Sequence, residues 1–217
     1  MQRVVSQITE GTAFDRRGMP FRRRNVVPGV IAVVAALVLT AIVWAAALTR
    51  PVEVVEAVEC NSPPAAPDAP GLGERVSSST MTDVSPAPLA ETQVRVLNAS
   101  GQAGQAAEVS GALRDVGFPA PTADNDPVYA NTRLDCQGQI RFGENGIRQA
   151  AAVWLVAPCA ELFRDGREDA TVDLAIGTDF TGAAHSDDIE AVLAGLRPDA
   201  AEPADPSLVR KAHAGAC

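Results

Sequence analysis

Residues 93–117, QVRVLNASGQAGQAAEVSGALRDVG, contain the pattern that decides the fold of this chain. Residues 93–97 alternate between polar and apolar side chains, which predicts a β-strand with one buried face. Asn98-Ala99-Ser100-Gly101 follows as a turn, with Ser100 as the predicted N-cap of a helix. Apolar side chains then recur at helical spacing, up to Gly117 in the C′ position: Ala103, Ala106, Val109, Leu113 and Val116. This stretch therefore predicts a strand followed by a helix.

Two more pairs of a strand and a helix are predicted further along the chain. The first is a short strand at 139–142 and a helix with an apolar face formed by Ile147, Ala150, Ala151, Trp154 and Leu155. The second is a strand at 171–176, a turn at 177–180 and a helix capped by Ser186, whose acidic first turn suits the helix dipole. Phe142 and Trp154 are expected in the core.

An extended stretch and a polar loop, residues 118–138, connect the first pair to the second. The order of elements predicts an α/β (α+β) fold, with a small sheet of three to four strands and about three helices packed on it. One N-terminal transmembrane helix is expected in addition.

Residues 26–48 contain no charged side chain and are almost entirely apolar. Such a segment, at about 1.5 Å per residue, is long enough to cross a bilayer. Arg22, Arg23 and Arg24 precede it and only Arg50 follows closely, so the positive-inside rule places the N-terminus in the cytoplasm. A cleaved signal peptide is the alternative, since Ala45-Ala46-Ala47 could serve as a cleavage site. A lipoprotein is disfavoured because Glu59 precedes Cys60.

The expected organisation has five segments. They are a cytoplasmic tail (1–25), the transmembrane helix (26–48), a stalk and proline-rich linker (49–92), the folded domain (93–197) and a C-terminal tail (198–217). The net charge is −9 for the chain and +4 for residues 1–25, which leaves −13 for the rest. An acidic exported domain repels phosphate, so nucleic acid is an unlikely partner class.

All four cysteines, Cys60, Cys136, Cys159 and Cys217, follow the apolar segment, in a compartment where disulfides persist. Cys136 and Cys159 both fall inside the expected domain and enclose a modest loop, so we pair them. Cys60 and Cys217 then pair by elimination. The chain has no C-x-x-C motif, and neither histidine has ligand-like spacing to a cysteine, so metal binding and a redox-active cysteine are disfavoured.

The segment 94–101, with Gly104 and the helix that ends at Gly117-Phe118, resembles the opening of the LytR C-terminal domain family. The helix around Ala150-Ala151 and the sequence Ile176-Gly177-Thr178-Asp179-Phe180 resemble its closing part. The resemblance covers residues 93–197. In that family the domain often follows a LytR-CpsA-Psr phosphotransferase that attaches polymers to the cell wall, but this chain has only a linker in that place. One anchor, a linker and a lone domain resemble an actinobacterial envelope protein, which implies a role in envelope integrity.

The turn from Asn98 to Gly104 is the candidate binding loop, with Asn98, Ser100, Gly101 and Gly104 as its expected residues. A strand-to-helix turn can hold an anion with backbone N–H groups, here a phosphate or a wall-polymer group. The simpler interpretation is a tight turn in which Asn98 and Ser100 satisfy the helix end, because G-x-x-G alone lacks a P-loop lysine. Likewise, Asp179, His185, Asp187 and Asp188 fit a turn and an acidic helix start better than a metal site.

The sequence offers no catalytic residue, cofactor site or metal site. It therefore predicts a non-enzymatic, membrane-anchored, extracytoplasmic protein that contributes to cell envelope integrity by binding a wall component or a partner protein. One alternative is a phosphotransferase or hydrolase that acts on a wall polymer at the candidate loop. A second is an assembly module that pairs with itself or with another envelope protein. The oligomeric state is left open.

Overall fold

The structure is a computed structural model, and it describes residues 27–48, 59–64, 71–200, 204–214 and 216–217. The predicted cytoplasmic tail, residues 1–25, lies outside the described residues. The chain divides into two units, Met1–Pro51 and Val52–Cys217, which are treated separately.

The described part of the first unit is one helix, α1, Val27–Leu48. Its 22 residues span about 33 Å at 1.5 Å per residue. The mean hydropathy over Val27–Ala46 is 2.6, and apolar side chains surround the axis. Within the described part of the chain, α1 is the one helix long and apolar enough to cross a membrane.

The second unit is built on a six-stranded mixed sheet in the order β1-β5-β4-β6-β2-β3. The strands are β1 (Glu74–Val76), β2 (Val94–Asn98), β3 (Thr122–Asn125), β4 (Gly138–Phe142), β5 (Glu161–Arg164) and β6 (Val172–Ile176). β2 is parallel to both β3 and β6, and β4 is parallel to β5. The antiparallel pairs are β4 with β6 and β1 with β5.

The described residues of this unit form five helices: α2 (Ser78–Thr82), α3 (Gln105–Val116), α4 (Ile147–Val156), α5 (Asp187–Gly195) and α6 (Pro206–His213). Two short 3₁₀ turns occupy Leu89–Glu91 and Glu144–Gly146. Seven successive residues of α4 are buried, Ala150 to Val156. A helix that is apolar on all sides must be covered on all sides. Accordingly, α4 contacts β4 and β6 as well as α5 and α6.

The main core lies between the helices and one face of the sheet, and it contains Phe142 and Trp154 as expected. A second, smaller cluster lies on the opposite face of the sheet, around Leu97, Tyr129 and Leu134. The strands alternate between the two clusters, because successive side chains of a strand point to opposite faces. Both faces of the sheet are therefore covered over part of their area.

The mixed α/β class was predicted correctly, but the element counts were too low. β1 and α2 lie in the segment expected to be a linker, and Met81 and Leu89 from that segment are buried in the main core. α6 lies in the segment expected to be a C-terminal tail, and its Val209 and Ala212 join the same core. The folded unit therefore extends beyond residues 93–197 in both directions.

The predicted helix ends were right at two places and wrong at one. Gly117 ends α3 with φ of 123°, and Ser186 caps α5, its hydroxyl accepting from the Ile189 amide at 3.1 Å. Ser100 does not cap α3. That helix begins at Gln105, after Gly104 in a left-handed conformation, since Ser100 is held within the preceding turn.

Candidate functional site

The predicted binding loop connects β2 to α3, and its side chains bond to one another. Asn98 Oδ1 accepts a hydrogen bond from the Ser100 amide at 3.1 Å and lies 2.9 Å from the Ser100 hydroxyl oxygen, while Asn98 Nδ2 donates to the Gln102 carbonyl at 2.7 Å. The Gln102 amide donates to Ser100 Oγ at 3.0 Å. Gly101 and Gly104 have φ of 76° and 84°, which glycine adopts without strain. This is the hydrogen bonding of a closed turn.

The loop is also fastened to the end of β6. Gln105 accepts a hydrogen bond from the Ser100 hydroxyl at 2.5 Å and donates one to the Phe180 carbonyl at 3.1 Å. The Ala99 amide donates to the Ile176 carbonyl at 3.0 Å. The two sequence motifs that suggested the LytR C-terminal domain, one at each end of the resemblance, therefore meet in space.

The acidic residues considered as a metal cluster are placed around α5. Asp187 and Asp188 lie in its first turn, and Asp188 pairs with Lys211 at 2.7 Å. Asp179 accepts a hydrogen bond from the neighbouring Thr178 hydroxyl at 3.3 Å. Among the described residues, no group of three or more His, Cys, Asp or Glu side chains is arranged to hold a metal ion.

The cysteines pair differently from the prediction. Cys60 is bonded to Cys136 and Cys159 to Cys217, with Cα–Cα distances of 5.1 and 5.3 Å. The predicted pairs, 136 with 159 and 60 with 217, are wrong. Cys136 belongs to the smaller cluster, whereas Cys159 follows α4. Loop length had suggested a bond that neither cysteine makes.

The feature that sequence reasoning missed is a charged face on the sheet. Three central strands each carry one charged residue between two apolar ones: VRV at 94–96, IRF at 140–142 and VDL at 172–174. The apolar residues of each triplet belong to the main core. Since the side chains of a strand alternate, Arg95, Arg141 and Asp173 lie on the face away from the helices.

The outer part of this face is a chain of ion pairs. Asp173 accepts two hydrogen bonds from Arg95, at 2.6 and 2.8 Å, and one from Arg167 at 2.7 Å. Arg167 also pairs with Asp165. Burial alone would raise the pKa of Asp165 and lower that of Arg167, but the hydrogen bonds between the two outweigh burial and shift both pKa values in the opposite direction. Asp165 and Arg167 are thereby held in their charged forms.

The inner part of the face is buried. Arg141 bonds both oxygens of Asp126 at 3.1 and 2.8 Å, and only 5% of the arginine side chain is exposed. Gln139 accepts from Arg141 at 2.8 Å and donates to Glu161 at 3.4 Å. Burial raises the pKa of the nearby Tyr129 hydroxyl, and Arg141 lies over that ring at 5.8 Å from its centroid. A bidentate pair with these additional hydrogen bonds fixes the orientation of Arg141.

A cleft of about 370 Å³ opens over these ion pairs, and we call it the sheet cleft. It is lined by Gly71, Arg95, Leu97, Asp124, Asn125, Pro127, Val128, Arg141, Asp165, Arg167 and Asp173. Among the described residues, this lining contains no serine, threonine, cysteine, histidine or tyrosine, and its carboxylates come from Asp124, Asp165 and Asp173. The arrangement can bind a polar ligand through fixed donors and acceptors.

The segment just after the stalk is fastened to the same side of the sheet. Cys60 is bonded to Cys136, and the Asn61 side chain accepts from the Asp135 amide at 2.7 Å and donates to the Arg133 carbonyl at 2.9 Å. The Tyr129 hydroxyl donates to the Asn61 carbonyl at 2.7 Å. Residues 59–64 are thus part of the folded unit and not of a free linker.

The charged triplets were visible in the sequence, and they are the signal that could have found the site. A charged residue in the middle of a buried strand needs a partner, because a lone buried charge is strongly unfavourable. Three such strands indicate a common face. Asp126, Asp165 and Arg167, in contrast, lie in connecting segments where a charge is ordinary, and they carry no such signal.

The fold, together with the residues that match a family model, defines the class of protein to which this chain belongs. Residues 91–180 match the family model described as LytR cell envelope-related transcriptional attenuator, which confirms the resemblance to the LytR C-terminal domain. The chain belongs to the family of the cell envelope integrity protein Cei. It is 62% identical to Cei of Mycobacterium tuberculosis over 216 residues, which cover 99% of this chain and all of that protein.

A solved structure is also similar. It is the soluble domain of a conserved hypothetical secreted protein from Mycobacterium marinum, with 69% sequence identity and a TM-score of 0.66. The match covers 67% of this chain and 99% of that chain. The names of these two relatives refer to the integrity of the cell envelope and to secretion.

Proposed function

We propose that this chain is a single-pass membrane protein without catalytic activity, whose exported domain maintains the cell envelope by binding a wall component or a partner protein at the sheet cleft. The observation that carries the proposal is the cleft itself. The guanidinium groups of its lining are fixed in ion pairs with carboxylates. Groups held in this way can position a polar ligand.

The proposed topology has the N-terminus in the cytoplasm and residues 59–217 outside. It is supported by the composition of α1, by Arg22, Arg23 and Arg24 before that helix, and by two disulfides after it. An epitope tag fused to Met1 tests the anchor. We expect the tag to remain in the membrane fraction, on a chain of full mass. A released domain without the tag would instead indicate a cleaved signal peptide.

Binding is tested with residues 59–217, which retain both disulfides and include the region that is soluble in the Mycobacterium marinum relative. We expect this domain to sediment with walls isolated from Mycobacterium marinum, or to crosslink to an exported protein on intact cells. The Arg95→Gln variant should lose either interaction. Arg164→Gln is the matched control, because Arg164 pairs with Glu74 and Glu144 outside the cleft. Equal retention of both variants would refute binding at the cleft.

The role in the envelope is tested in a strain that lacks the gene. Restored exclusion of a dye by the full chain and by Arg164→Gln, but not by Arg95→Gln, would connect the cleft to envelope integrity. Normal dye exclusion in the deletion strain would contradict that role.

A further inference from the structure

We infer that the sheet cleft binds an uncharged saccharide. This choice of ligand class rests on the binding role proposed above for the cleft. Three features support this class: the ion pairs of the lining, the donors and acceptors that remain exposed, and the apolar residues beside them.

The guanidinium groups of the sheet cleft are paired within the protein. Arg95 pairs with Asp173, Arg167 with Asp165, and Arg141 with the buried Asp126, at distances between 2.5 and 2.8 Å. Asp124 adds one further, exposed carboxylate to the lining. An anion would meet the carboxylates as it approached, and a cation would meet the guanidinium groups. A ligand without net charge avoids both costs.

The exposed parts of the cleft present donors and acceptors together. The Arg95 side chain is 53% exposed although its partner Asp173 is only 6% exposed, so the pair shows one edge of the guanidinium to solvent. Asp124 and Asn125, on the edge strand β3, add an exposed carboxylate and an exposed amide. A hydroxyl group donates and accepts at once, so it can bridge neighbouring donors and acceptors of this kind.

An apolar wall adjoins the polar floor. Leu97 and Val128 are buried beneath it, and Pro127 is exposed at the cleft. A sugar ring has polar hydroxyls at its rim and C–H groups on its faces, so it can pack on Pro127 while it bonds to the charged floor.

The test is a titration of residues 59–217 followed by NMR, with three fractions of hydrolysed Mycobacterium marinum wall separated by ion exchange: uncharged saccharides, anionic material and peptides. We expect the uncharged saccharides to shift the amide resonances of Leu97, Asn125 and Val128. The affinity should be the same at low and high salt, because screening does not act on an uncharged ligand. Arg95→Gln should weaken binding about fivefold to tenfold, the effect of one or two hydrogen bonds, and Arg164→Gln should leave it unchanged.

Three results would overturn the assignment. Stronger shifts with the anionic fraction, falling as salt rises, would indicate an anion site, and stronger shifts with peptides would indicate a peptide site. No shift with any fraction would also refute the saccharide class, whereas sedimentation of the domain with intact walls would still uphold the proposed function.

Discussion

Acidification should weaken the attachment of α6 to the core, through one histidine. His213 is the last residue of α6, only 3% exposed, and it stacks on Trp154 with ring centroids 3.6 Å apart and an angle of 17° between the planes. Its Nδ1 atom makes no hydrogen bond among the described residues. Burial lowers the pKa of His213 from 6.5 to about 4. Protonation of His213 therefore favours molecules in which the imidazole ring has left its buried site.

The size of the effect follows from the two pKa values. Between pH 6.5 and pH 4 the unfolded chain binds a proton at His213 that the folded chain does not. Stability is thus fully present above pH 6.5, falls as the pH drops and reaches its lower limit near pH 4. At about 1.4 kcal/mol per pKa unit, the loss amounts to roughly 3 kcal/mol. The carboxylates of Asp165 and Asp205 have lowered pKa values and lose their contribution only at still lower pH.

Urea unfolding of residues 59–217 between about pH 7.5 and about pH 4 measures this loss. Trp154 is the only tryptophan in that stretch, so its fluorescence reports on the environment next to His213. The His213→Phe variant retains an aromatic ring against Trp154 but has nothing to protonate. We expect the free energy of unfolding to fall by about 3 kcal/mol in the parent domain and by much less in the variant. The same pH slope in both proteins would refute the reasoning.

Two other predictions concern the backbone and the disulfides. Gly177→Ala should destabilise the domain in urea unfolding, because the added Cβ would collide with the carbonyl oxygen of Cys136. Gly111→Ala in α3, where the added Cβ has open space around it, should be neutral or up to about 1 kcal/mol stabilising. Equal effects of the two substitutions on the free energy of unfolding would contradict this prediction. Cys60→Ser should lower the free energy of unfolding by about 4 kcal/mol, since the bond to Cys136 closes a span of 76 residues in the unfolded chain. A disulfide-linked peptide pair of Cys136 with Cys159 in a digest of the parent protein would disprove the assignment.

The elements that the sequence predicts well are those whose local pattern agrees with their final burial. β2, α3, β6 and α5 each have a clear period, and turn or cap residues bound them. The cap of α5 at Ser186 and the end of α3 at Gly117 could be predicted from the sequence, because their hydrogen bonds join residues three or four positions apart. Local signals of this kind need no knowledge of the rest of the chain.

The elements that escaped prediction depend on distant partners. β1 has three residues and is a strand only because it pairs with β5, where Glu74 lies opposite Arg164. α6 has a local signal, since the side chain of Asp205, which precedes the helix, accepts a hydrogen bond from the Ser207 amide. Its apolar face is short, however, and can be recognised as part of the core only from its contact with α5. The cysteine pairs and the sheet cleft likewise depend on strand order, which no local pattern contains.

The two arginines of the charged face should behave differently on substitution, and this difference decides whether the binding test at Arg95 can be interpreted. Arg141 is 5% exposed and its partner Asp126 is fully buried, so Arg141→Met leaves an unpaired buried carboxylate, at a cost of about 3–5 kcal/mol. Arg95 is half exposed and Asp173 retains Arg167, so Arg95→Gln should cost less than about 1 kcal/mol. Urea unfolding of both variants measures the contrast. A similar loss in both would mean that Arg95 also maintains the fold, and a loss of ligand in Arg95→Gln could then not be assigned to a contact.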